Sequence, residues 1–256
     1  METGNNAGGA VVIALPSCDS TNTYAKAHAA RLAPFGAVYT TSQTAGRGRL
    51  GRAWVNAAGQ ALYYSVLLGG PLVQPETLPQ LASLVTARAL ARRYGAVPQI
   101  KWPNDLLLGG KKITGILCES TETSAGRVWI AGIGINLAQS QDYFDAAGLP
   151  HGTSLALAGL AVDLEKDPAA LAAAMTAEFA AARADFAARG FAPLRADYKA
   201  ACVNLGRRVG FAGPNGPESG IAADVDEDGR LVVRTDGGQA QVFTGEVSVS
   251  GIYGAV

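Results

Sequence analysis

The chain has 256 residues, 48% hydrophobic and 16% charged, with 21 lysines and arginines against 21 aspartates and glutamates. That balance suits a globular protein with a well-buried core and excludes a chain that coats DNA or an anionic membrane through global charge. Cys18, Cys118 and Cys202 fit no metal spacing and leave one thiol over in any disulfide scheme, so a reduced, cytoplasmic setting is expected. No run approaches the roughly 18 apolar residues of a membrane helix.

Residues 1–9, polar and glycine-rich, read as a disordered tail rather than a signal peptide. "VVIAL" (11–15) predicts a strand, "DSTNTYAKAHAARL" (19–32) a helix capped by Asp19 or Ser20, and "GAVYTTSQ" (36–43) a second strand. "QALYYSVLL" (60–68) is a nearly continuous apolar strand, and the apolar spacing from Pro75 onward is helical up to a terminating Gly95. "PQIKWPNDLLL" (98–108) and "KKITGILCEST" (111–121) read as two strands joined at Gly109-Gly110; "RVWIAGIGINLA" (127–138) is another that breaks into glycines. Alanine-rich helices follow at about 168–189 and 191–204. After Leu205, short strands divided by Asp-Gly and Gly-Gly turns predict a small antiparallel barrel. The expected architecture is α+β: a mixed sheet with flanking helices over 10–205, then an all-β domain over 206–256.

Between Ser20 and Gln74 no acidic residue occurs, while Lys26, Arg31, Arg47, Arg49 and Arg52 are present. Gly46, Gly48 and Gly51 interleave the last three, in "GRGRLGRAW" (46–54), giving backbone that a ligand can approach beside planar, bidentate donors. That combination points to an anion-binding loop for a small ligand, against the alternative of a merely solvated basic loop. Gly46-x-Gly48-x-x-Gly51 also spells a dinucleotide fingerprint, but a strand follows instead of a helix and the next acid is Glu76, so that reading fails. "KWPND" (101–105), "KKITG" (111–115) and "GIGIN" (132–136) add a polar cluster about a tryptophan, a lysine-led strand and a glycine-permitted close approach.

In this order, "STN" (20–22), Gln43 with "GRGRLGRAW", "KWPND", "KKITGIL" (111–117) and "GIGIN" resemble the biotin–protein ligase family; "TSL" (153–155) and "GEVSV" (245–249) extend the match over most of the chain. The resemblance implies a catalytic domain related to class II aminoacyl-tRNA synthetases and an SH3-like C-terminal barrel. It implies two steps: biotin and MgATP form biotinyl-5′-AMP and pyrophosphate, then a lysine of a biotin carboxyl carrier protein domain takes the biotinyl group. It further implies biotin contacts from Ser20, Thr21, Asn22, Gln43, Gly46, Arg47, Gly48, Arg49, Lys112, Gly115 and Leu117, with Lys112 and Arg49 catalytic. Arg52, Trp54, Lys101, Asn104 and Asn136 fall to ATP, and Asp105 to orienting the acceptor lysine. No residue cluster suggests a protein-held metal, so Mg²⁺ is expected to arrive with ATP.

Departures from the family pattern carry expectations too. The first catalytic strand starts near residue 10, so no N-terminal DNA-binding domain and no operator binding are expected. Ser250 stands where some relatives have an arginine, which puts in doubt an ATP contact from the C-terminal domain through that residue. Related ligases can pair sheets edge to edge, but no decisive apolar edge stands out here, so a homodimer is left open. A lipoate or octanoate ligase is the nearest competitor; such enzymes usually carry a different arginine–glycine motif with a histidine, which is absent.

Overall fold

The computed structural model describes residues 3–7 (as backbone) and 10–252, apart from residues 56, 215, 244 and 246. Thr3–Ala7 (β1) pairs antiparallel with Ala10–Ala14 (β2), from Thr3↔Ala14 to Ala7↔Ala10. The expected disordered tail therefore carries a strand: the outer edge of β2 presents backbone donors and acceptors that a neighbouring segment satisfies whatever its side chains.

The predicted helix over 19–32 is two, Thr21–Ala27 (α1) and Ala29–Leu32 (α2), broken at His28, whose ring stacks on Tyr24 at 4.0 Å. Phe35–Thr40 (β3), Ala61–Gly69 (β4) and Leu78–Tyr94 (α3) follow as expected, α3 ending on a left-handed Gly95. The single strand expected over 98–108 instead folds back on itself, as Gln99–Lys101 (β5) against Asp105–Leu108 (β6), with Lys101 opposite Asp105. Pro103 has no N–H to continue a ladder, so the chain turns there. Gly109 and Gly110, both at positive φ, make the predicted hairpin into Lys111–Thr123 (β7). Gly126–Asn136 (β8) runs unbroken through its glycines. Gln141–Ala146 (α4), not foreseen, is capped by the Ser140 hydroxyl, which accepts from the Tyr143 N–H. Asp167–Arg189 (α5) and Arg195–Ala201 (α6) complete this part.

The first eight strands form one mixed sheet in the order β1-β2-β3-β4-β8-β7-β6-β5. Strand alternation sorts its side chains. Leu62, Tyr64 and Val66 of β4, Ala131, Ile133 and Ile135 of β8 and Ile116 of β7 join α3 and α5 in the main core. On the opposite face α1 and α2 cover Ile13, Val38, Leu67 and Ile130, the start of α1 lies over Ser65 and Gly132, and beyond it Gly134, Gly115 and Leu117 look out uncovered by a helix.

Arg208–Gly213 (β9), Gly216–Val225 (β10), Leu231–Thr235 (β11), Gly238–Val242 (β12) and Ser248–Val249 (β13) form a second, antiparallel sheet ordered β12-β11-β10-β9-β13. Among the described residues no ladder joins β12 to β13. This sheet is bolted to the first part by the Trp102 indole N–H and the Gln80 amide, both donating to the Gly229 carbonyl, at 2.9 and 3.1 Å. Arg195 and Lys199 of α6 hold Asp224 at 2.7 and 2.5 Å.

Candidate active site

The uncovered face of the first sheet is the floor of a cavity of about 1080 Å³, lined by every residue that the resemblance assigns to biotin, ATP or the acceptor lysine except Gly46. That size stands at the upper end for small-molecule sites.

At its closed end the start of α1 is held from three sides. The Gln43 amide oxygen accepts from the Thr21 N–H at 2.7 Å and from its hydroxyl at 3.1 Å, while the Ser65 hydroxyl lies 2.7 Å from the Asn22 amide oxygen, which accepts from it, and 2.8 Å from the Thr21 hydroxyl. The Asn22 amide donates to the Leu117 carbonyl and to Glu119, at 3.2 and 2.8 Å. A Cβ on Gly132 would drive into the Asn22 side chain, so this glycine is required by a close approach.

The basic loop closes on itself. Arg47 bridges Ala53, Gly48 N–H donates to Arg52 at 2.7 Å, and Trp54 N–H donates to Gly46 at 3.0 Å. At its tip Leu50 sits at φ 56, exposed, followed by Gly51 at φ 74. Gly46 stands outside the cavity wall because it packs on the loop's return strand: a Cβ there would lie 2.6 Å from the Trp54 carbonyl oxygen. The Trp54 indole lies on a glycine floor, where a Cβ on Gly115 or Gly134 would collide with the ring.

The arginines, which have no acidic neighbour in their own segment, find partners elsewhere. Arg47 pairs with Glu119 of β7 at 3.0 Å, and Lys26 meets the same carboxylate at 2.6 Å. Burial works to raise the Glu119 carboxyl, but hydrogen bonds from Lys26 and Asn22 and the charge of Arg47 outweigh it and hold it below its ordinary value. Arg49 donates to the Asn104 side-chain oxygen at 2.6 Å and, across to the second sheet, to the Gly245 carbonyl at 3.0 Å. Asn104 is locked in turn, donating to the Ile116 carbonyl at 2.8 Å.

Lys112 leads β7 into the cavity. Its ammonium lies 2.7 Å from Asp105 and 5.6 Å from the centre of the Trp54 ring. Its backbone is clamped by the His151 carbonyl and the Thr153 N–H at 2.8 and 2.9 Å. Asn136 serves the same clamp: its amide donates to the Thr153 carbonyl at 2.9 Å and accepts from Gln139 at 3.0 Å. Lys101 is buried at the edge of this group, and both it and the exposed Arg52 are engaged.

Sequence reasoning missed Ser65, Glu119, the Tyr143–Gly152 stretch and the wall contributed by the second sheet. Of these, only the second wall had left a signal, in "GEVSV" and Ser250, while "TSL" just past the missed stretch marked the Lys112 clamp. No group of three or more His, Cys, Asp or Glu suited to a metal occurs among the described residues. Asp105 and Glu218 are the carboxylates of the described cavity wall. All three cysteines are free, with burial and then the Asp19 charge raising Cys18 to about 11 and burial raising Cys202 to about 11, so these are not reactive thiolates.

A lysine, loop arginines and a glycine floor around one cavity define a site for joining anionic small molecules, and the comparisons agree with that class. Residues 14–136 match the Biotin/lipoate A/B protein ligase family and residues 205–250 the Biotin protein ligase C terminal domain. The chain is 35% identical over 244 residues to the biotin–[acetyl-CoA-carboxylase] ligase of Paracoccus denitrificans, covering 93% of this chain and 100% of that one. It belongs to the biotin protein ligase branch of this family. The bifunctional ligase/repressor BirA of Bacillus spizizenii is 31% identical over 215 residues, which are 83% of this chain and 65% of the relative. The chain thus matches about two thirds of the length of that relative. The biotin protein ligase of Aquifex aeolicus, solved with biotin and ATP, superposes with a TM-score of 0.73 at 24% identity, covering 93% of this chain and 97% of that one. No described helix is long and apolar enough to cross a membrane.

Proposed function

We propose that this chain activates biotin with ATP as biotinyl-5′-AMP and transfers the biotinyl group to a lysine of a biotin carboxyl carrier protein domain. The observation that carries the reading is the meeting, in one cavity, of the Lys112 ammonium, the Arg49–Asn104 pair and the polar start of α1 over a glycine floor. Family membership supports it, with the catalytic part at 10–205 and the C-terminal part at 206–256.

In the first step a carboxylate oxygen bonds to the α-phosphorus, the bond from that phosphorus to the bridging oxygen breaks, and pyrophosphate leaves with the electron pair. Two anions must be brought together, so cations fixed in advance lower the barrier. Lys112 is placed to hold the carboxylate and the phosphoryl oxygen, and Arg47 and Arg49 to cover them. The closed, polar end at Ser20, Thr21, Asn22 and Gln43 suits the urea-like head group, with Gly115 and Leu117 along the chain. Gly46 and Gly48 let the loop lie close. Arg52, Trp54, Lys101 and Asn104 face the nucleotide, while Asn136 acts through the Lys112 clamp. A loop closed on itself keeps water from the mixed anhydride. The residues fit Mg²⁺ carried on the triphosphate, with Asp105 as the nearby carboxylate, because Mg²⁺ in such sites keeps few protein ligands.

In the second step the acceptor amine attacks the acyl carbon and AMP leaves. Asp105 already holds one ammonium, that of Lys112; once Lys112 turns to the ligand, the same carboxylate can orient the incoming lysine and take its proton. A homodimer, if it forms, has the edge of β7 available, since β6 covers it only as far as Gly115. Three free thiols fit a reducing, cytoplasmic setting.

The test is incubation of the folded protein with biotin, radiolabelled ATP and a carrier domain. Labelled biotinyl-adenylate and biotinylated carrier are expected. Absence of both would overturn the reading, and labelling with lipoate in place of biotin would select the lipoate ligase.

A further inference from the structure

Between Thr44 and Val55 no residue is buried, and the half-covered Trp54 is the main apolar anchor of the basic loop. A segment of that kind opens easily, so polar ties decide how long it stays shut. Arg49 supplies one tie, to Asn104 and Gly245. Arg47 supplies another: its Nη2 donates to Glu119 at 3.0 Å and to the Thr23 hydroxyl at 3.4 Å.

Glu119 is not part of the cavity wall. Strand alternation puts it on the face of β7 that carries Gly115 and Leu117, one step past the cavity floor and against α1. There one carboxylate oxygen serves two structures at once. Oε2 accepts from the Asn22 amide at 2.8 Å and from Arg47 at 3.0 Å, and Oε1 accepts from Lys26 at 2.6 Å. Because the Asn22 nitrogen is held by Glu119 and by the Leu117 carbonyl, its oxygen is turned to Ser65. The start of α1, at the closed end of the cavity, and the loop over that cavity therefore share a single acceptor.

We propose, resting on the ligase reading above, that Glu119 is a positioning residue that latches the basic loop, through Arg47, over bound biotinyl-5′-AMP and, through the same oxygen, sets the orientation of Asn22 at the biotin end. With the loop open the carboxylate keeps Asn22 and Lys26; shutting the loop adds the Arg47 bond. That bond weights the open and shut states and leaves the reacting atoms to Lys112 and Arg49. The Arg47 side chain is 45% exposed and that of Glu119 18%, so water screens the pair, and its loss changes the balance by a factor of several rather than by orders of magnitude. Lys26 is a rival, since it draws on the same carboxylate from α1 rather than from the loop.

Pulse-chase release of labelled biotinyl-5′-AMP from the full chain tests this. Glu119→Gln, which keeps an oxygen for Asn22 but removes the charge, is expected to speed release roughly three- to fivefold. Arg47→Met should speed it as much, and the double variant no more than either single one, because both remove the same bond. Lys26→Met should leave release unchanged or slow it. Salt gives a check that needs no variant: release from the wild type should quicken as sodium chloride is raised to roughly 0.5 M, and release from Glu119→Gln should stay flat. Multiplying effects of the two charge removals, acceleration by Lys26→Met equal to that of Glu119→Gln, or salt-independent release from the wild type would each overturn the latch and leave the ligase reading standing. A wild-type chain that does not bind biotinyl-5′-AMP removes both.

Discussion

The cavity has two walls built on different principles. The floor from β4, β8 and β7 is crowded: glycines are pressed against Asn22 and Trp54, and each charge already has a partner. The wall from the second sheet is looser: a Cβ built on its Gly210 would meet the Ser248 hydroxyl at 2.7 Å and nothing else closer than the Glu218 carbonyl oxygen at 3.9 Å. The difference teaches that one wall sets geometry in advance, where electrostatic stabilisation needs it, while the other leaves space unfilled.

The sharpest way to break this contrast is at Lys112. Lys112→Ala should lower adenylate formation by on the order of 10² to 10³, with transfer from pre-made biotinyl-adenylate less affected. Equal loss in both half-reactions, measured by quenched flow, would make Lys112 structural. Next, Gly132→Ala should cost at least about tenfold in biotin affinity by displacing Asn22, whereas Gly210→Ala on the other wall should cost less than about twofold because a serine hydroxyl can rotate away. Similar losses on titration would erase the distinction. Trp102→Phe keeps the ring but removes the N–H to Gly229; it should cost about 1–3 kcal/mol in denaturant unfolding by leaving a buried carbonyl with one donor fewer.

The smallest effect concerns pH. Glu119 has a lowered pKa in the folded chain, so its contribution is complete above the ordinary value of 4.5 and is lost as pH falls through the lower folded value. The melting temperature of the wild type should exceed that of Glu119→Gln above that point, and the gap should close in more acidic buffer. A gap that persists unchanged in acid would mean the carboxylate's charge is irrelevant.

Legibility followed the same division. The floor could be read because its demands fall on residue type: a glycine under an indole, a lysine at the head of a strand, an asparagine locked by backbone. The split of the predicted 98–108 strand at Pro103 was half visible, since the proline stands in "KWPND" but its missing N–H matters only where a ladder would have to continue. Glu119 was invisible because its partners lie in distant segments, Arg47 and Lys26, and no spacing rule links residues brought together by sheet pairing. The second wall was legible only in part: "GEVSV" and Ser250 marked it, but serine, glycine and alanine on a short strand are ordinary.

Arg49 spans both walls, donating to Asn104 on one side and to the Gly245 carbonyl on the other, 196 positions away in the chain. Such a bond is an intramolecular binding event, governed by an effective concentration that the folded scaffold sets. Loosening the mount of the second sheet at Asp224, which is not part of the cavity wall, is therefore expected to make the Arg49–Gly245 bond rarer.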